Sequence, residues 1–139
     1  MAVGGRFVWN EAEYERLTRG RDGAVGRFMQ SAAEKATQEA KRLCPTSPAG
    51  SEDHPSGHLR SSIGWSLGED AVSLYADIGT PVDYALYVEF PTRPHTIRSH
   101  GDYPLRNRRT GKTFGRVVHH PGTQAQPFLR PCLDVLRHG

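Results

Sequence analysis

The residues of this 139-residue sequence best suited to chemistry are seven histidines and two cysteines. His119-His120 is the conspicuous pair. On a strand, adjacent side chains point to opposite faces, so one metal ion would rarely take both. A zinc site wants three or four N, S or O ligands. His95, His100 and Asp102 could complete such a set only if the segment between them folds back. A histidine hydrogen-bonded within a turn is the simpler reading. Cys44 and Cys132 lie on apolar stripes of helical period, where a thiol is usually inert core rather than a nucleophile. Two cysteines are also too few for a disulfide framework. The stretches "GGRFVWN" and "RTGKTFG" lack the spacing and the strand–turn–helix setting of a phosphate loop. The expectation is a chain with no catalytic residue, no metal and no cofactor.

Charge is more informative. From Arg93 to Arg116 there are seven Lys/Arg against Asp102 alone, +6; the remainder holds eleven against fourteen, −3. A basic segment on a mildly acidic body suggests a polyanionic contact. With Tyr103 and Phe114 interleaved, it could track a phosphate backbone as a nucleic-acid-binding module. It could instead be a solvated hairpin whose charges keep a sheet edge soluble, or an arm that docks on an acidic protein surface. The last fits best.

The elements that must position these residues follow from periodicity. A length of 139 residues with 36% hydrophobic content suits one domain with a modest core. Asn10 and Glu13 match a capping pattern for a short first helix inside an N-terminal extension, residues 1–21. Val25, Met29, Ala32, Ala36, Ala40 and Leu43, widened by Phe28 and Ala33, predict an amphipathic helix from Asp22, its N-cap, to Leu43. Pro45 stops it. Residues 45–58 read as an exposed loop. Leu59, Ile63, Trp65 and Leu67 on one strand, and Val72, Leu74, Ala76 and Ile78 on the next, predict a β-hairpin turning at "GED". "DYALYVEF" has the spacing of a turn or two of helix.

Two more strands, His95 to His100 and Thr113 to His119, would form a basic hairpin arm over residues 93–118, turning at "RTGK". Pro121-Gly122 then punctuates the chain. Pro127 suits a first helical position; a tight turn to Arg130 and a regular helix beyond it should follow, with Phe128 and Leu129 as anchors. The fold class expected is α+β: a long N-terminal helix and a C-terminal helix on an antiparallel sheet. No apolar run approaches the roughly 20 residues needed to span a bilayer, and no secretory signal is evident, so manufacture in a cytoplasm is expected.

Five stretches, in order, resemble the small neck or tail-completion proteins of long-tailed bacteriophages, related to the minor tail protein Z group of phage lambda. They are Ala32 to Pro45, "GHLRSSI" (Gly57 to Ile63), "YALYVEF" (Tyr84 to Phe90), "RPHTI" (Arg93 to Ile97) and "HPGTQAQPFLRPCL" (His120 to Leu133). Leu59, Arg60, Ser62, Tyr84, Ala85 and Glu89 match the family motif. Two departures stand out: Pro91-Thr92 replaces the usual Gly-Thr after Glu-Phe, and the loop after Pro45 is long. The resemblance implies a non-enzymatic virion component, a homo-oligomeric ring of six copies by analogy. It would lie between the portal stack and the tail tube, touching adjacent connector and tail proteins and passing genomic DNA through its channel, with no membrane contact. Arg98, Arg106, Arg108, Arg109, Lys112 and Arg116 would reach a neighbouring subunit or ring. His120, Pro121 and Gly122 would form the turn that seats Pro127, Phe128 and Leu129.

Overall fold

The computed structural model describes residues 8–46, 56–71, 73–108 and 110–137. Helix α1 spans Glu11–Thr18, with the Asn10 side chain accepting from the Glu13 N–H at 3.2 Å. A tight corner then leads into α2, Ala24–Leu43. Only glycine fits this corner. A Cβ at Gly23 would come within 2.3 Å of the Arg16 carbonyl oxygen, and one at Gly26 within 2.1 Å of that of Arg21. The N-cap of α2 is accordingly Gly23 rather than Asp22. Cys44 turns extended ahead of Pro45, ending the helix where the proline demands it.

The segment expected to be a first strand is split. Gly57 adopts a left-handed conformation (φ +78°) and opens a five-residue helix α3, His58–Ser62, so Leu59 points into the core from a helix, not from a strand. Strand β1 (Gly64–Glu69) pairs antiparallel with β2 (Leu74–Gly79) in a register that sets Trp65 opposite Ile78 and Leu67 opposite Ala76. The reversal lies at Asp70–Ser73, closed by the Asp70 N–H to the Ser73 carbonyl at 2.9 Å. Val72, expected on the inward face, lies outside the described residues, as does most of the 45–58 loop. Helix α4, Ala85–Glu89, follows.

A second two-stranded sheet pairs β3 (His95–Arg98) with β4 (Val117–His120), and a bridge at Arg106–Thr113 with the Asn107 N–H donating to the Lys112 carbonyl at 2.8 Å continues it outward as a ribbon. The molecule is α+β with two small antiparallel sheets among the described residues, the second being the expected basic hairpin arm. The C-terminal element is a 3₁₀ helix, Pro131–Leu136, not a regular α-helix. Pro131, at its start, takes the place expected of Pro127, where a missing N–H costs nothing.

The core gathers Ala36, Ala40 and Cys44 of α2, Leu59 and Ile63 around α3, Ala85 of α4, and Phe128 and Cys132 of the C-terminal segment. Small residues on α2 let the other elements approach closely. Phe128, fully buried, is the largest side chain at the centre. Toward its N-terminus the stripe on α2 is uncovered: Phe28 is 70% exposed.

Candidate functional site

Glu89 ends α4 with a carboxylate that is only 4% exposed. A buried charge needs partners, and the C-terminal turn supplies them. Oε2 accepts from the backbone N–H groups of Phe128 (2.8 Å) and Leu129 (3.0 Å), and Oε1 from that of Arg130 (3.0 Å). The Arg130 guanidinium closes the arrangement, donating from Nε to Oε1 at 3.0 Å and from Nη2 to the Glu89 carbonyl at 3.1 Å, while lying over the Phe90 ring. Burial pushes the Glu89 carboxyl up, but the three backbone donors and Arg130 outweigh it and hold the carboxyl below its ordinary range. The Gln126 N–H adds a bond to the Val88 carbonyl at 2.8 Å. "YVEF" and "PFLRP" are thereby one clamp.

The other motif residues also join elements. Arg60 donates from Nη2 to the Cys44 carbonyl at 2.9 Å, satisfying the C-terminus of α2. The Ser62 hydroxyl lies 2.6 Å from that of Thr80, tying α3 to the end of β2. Leu59 and Ala85 are buried, and Tyr84 packs against the core. Cys44 and Cys132 are free, buried thiols; burial raises the pKa of both, against which Arg60 acts at Cys44. Neither is poised as a thiolate.

At the base of the ribbon, Gly122 sits at φ +84°, and a Cβ there would meet the Thr92 carbonyl oxygen at 2.2 Å. Its N–H donates to Nδ1 of His120 at 3.0 Å. This fixes the imidazole with Nδ1 unprotonated, its only neutral lone pair already engaged. His95, directly opposite in register, stacks on it with ring centroids 5.1 Å apart and donates from Nδ1 to the Arg93 carbonyl at 3.0 Å. His119 points the other way, to the Thr96 hydroxyl at 3.1 Å. Among the described residues no group of three or more His, Cys, Asp or Glu could hold a metal ion. Thr92, which follows the unusual Pro91, pairs with Thr123 through backbone bonds in both directions and a hydroxyl contact of 2.9 Å.

The arm residues are strung along the ribbon and do not converge on a pocket. Arg98 ends β3, Arg106 lies at the bridge to Thr113, and Arg108 and Lys112 flank the tip; Arg109 lies outside the described residues. Arg116 pairs with exposed Asp102 at 3.1 Å, and Lys112 lies over the Phe114 ring at 5.5 Å. Arg98, Arg106 and Arg108 have no ion-pair partner among the described residues. Tyr103 is 68% exposed. Arg130 and the Thr92–Thr123 pair escaped the sequence reading. A glutamate on an otherwise apolar helical turn, with a lone arginine in "FLRP", was the available signal.

A protein-family model described as "Bacteriophage HK97-gp10, putative tail-component" matches residues 11–90, 80 of the 139. It runs from the start of α1 through the Glu89 side of the clamp. No curated protein and no solved structure matches the chain.

Proposed function

The chain belongs to the HK97 gp10-like family of bacteriophage tail components, and on that premise we propose that it is a structural neck protein of a long-tailed phage. It forms a ring between the portal stack and the tail tube and continues the DNA channel. Six copies, and kinship with the lambda Z group, are the family analogy's contribution. One observation carries the reading: a basic ribbon leaves the core with every residue of β3 exposed, yet its base is pinned at Thr92–Thr123 and Gly122, next to the Glu89 clamp. A stiffly mounted arm that buries little in its own chain suits a contact with a neighbouring subunit or ring. Arg98, Arg106, Arg108, Arg109, Lys112 and Arg116 are the contact residues, facing an acidic protein surface.

The protein is thus made in the host cytoplasm, ends in the virion and catalyses nothing. Among the described residues no helix is long and apolar enough to cross a membrane. Deleting residues 103–114 tests the proposal. The expected result is a folded subunit that no longer supports joining of heads to tails; infectious particles at normal yield would refute it. The second reading, a nucleic-acid-binding module, draws on exposed Tyr103 among the arm's arginines. It requires DNA binding by the isolated chain with a steep salt dependence.

A further inference from the structure

Two apolar surfaces are left open among the described residues. The first is a groove of about 630 Å³ between the N-terminal half of α2, β2 and the 3₁₀ helix, lined by Phe28, Met29, Ala32, Ile78, Leu133 and Leu136. The second is α1. None of its side chains is buried, and Tyr14 and Leu17 are exposed, as is Trp9, whose ring meets that of Tyr14 at a 44° tilt with centroids 4.9 Å apart. A helix of eight residues is marginal in water without a packed face. Yet α1 is held in a fixed direction by backbone approaches of Gly20 and Gly23 to the Arg16 carbonyl that no other residue permits. No residue of α1 lines the groove of its own chain.

We infer that α1 of one copy of this chain seats its Trp9–Tyr14–Leu17 face in the α2–β2–3₁₀ groove of a second copy. Charge favours this occupant. Lys35 is the only charged residue lining the groove, and it has no ion-pair partner among the described residues. On α1, Glu13 and Glu15 pair with Arg16 and Arg19, leaving Glu11, whose Oε2 accepts from the Trp9 indole N–H, without a cation among the described residues. An acidic helix with one uncompensated carboxylate meets an apolar groove with one uncompensated ammonium. Each copy carries one helix and one groove on different parts of its surface, so the contact is head to tail, the kind that gives a ring when its rotation closes and a filament when it does not. The inference rests on the ring reading in taking the partner as another copy, and it names an interface separate from the basic arm.

Sedimentation velocity of the full chain tests it, with variants at exposed positions and circular dichroism as the folding check. Wild type is expected to associate. Tyr14→Asp/Leu17→Asp and Phe28→Asp/Leu136→Asp are each expected to be monomeric alone. Mixed one to one, they are expected to form dimers and nothing larger, because a single intact groove meets a single intact helix. Undiminished association of either variant, a mixture that stays monomeric, or a monomeric wild type would each overturn the inference. Wild-type assembly that ignores Tyr14→Asp/Leu17→Asp but is lost on deleting residues 103–114 would sink this interface while leaving the ring reading intact.

Discussion

The carboxylate of Glu89 substitutes for a helix cap: three consecutive N–H groups at a buried turn have no backbone acceptor and take one side chain instead. The energetic weight lies with those donors rather than with the salt bridge, because the Arg130 side chain is 58% exposed. Glu89→Ala should cost about 3 kcal/mol of unfolding free energy, the price of stranding buried donors, whereas Arg130→Ala should cost about 1 kcal/mol. Urea denaturation of the two variants checks the ordering. The pH dependence has a definite sign. With its folded pKa depressed, Glu89 contributes stability that is present above its unfolded value of about 4.3 and is lost as pH falls through the folded value. The acid limb of a melting-temperature profile should therefore be shallower in Glu89→Gln than in wild type. At Gly122, alanine would force both a left-handed residue and a clash with the Thr92 carbonyl, costing about 2 kcal/mol by the same measurement. Glu89 was recognisable in "YALYVEF" as a motif residue. That its partners are three backbone donors 39 to 41 residues away follows only from the chain's path.

Between elements, the packing turns on Phe128 set against the alanine face of α2. Phe128→Ala should lose about 3–5 kcal/mol, enough to unfold much of a small domain, as read by thermal denaturation. The 20-residue helix was legible because its alanines recur at steps of three and four and Pro45 ends it. The turn into it was less so, since Asp22 is the better cap by type while the close approach to Arg16 requires glycine at 23. The spacing of Leu59 to Ile63, Trp65 and Leu67 fits the alternation of a strand. A left-handed Gly57 and the Arg60 bond to the end of α2 make that stretch helical instead. The C-terminal helix is legible in position but not in type: Pro131 starts it, and it winds as 3₁₀ over six residues, longer than the roughly three or four that this winding usually keeps. The ribbon's basic character was plain in the sequence. Its mounting through Thr92 and Thr123 was not, because neither residue type announces a partner 31 residues away.

For the whole molecule, apolar side chains stay exposed among the described residues on α1, on the uncovered half of α2 and on the 3₁₀ helix, and apolar surface of this kind, where contiguous, marks an interaction face. A subunit that completes its burial in an assembly accounts for both that exposure and the low hydrophobic content. The family match makes the chain a phage tail component, and the Glu89 clamp ties the base of the projecting arm to the core. The most direct measurement of this account is the position of the subunit in the particle. A tag on its C-terminus, imaged in purified virions by electron microscopy, should appear as one annulus at the junction of head and tail. Label spread along the tail shaft, or missing from the virion altogether, would contradict it.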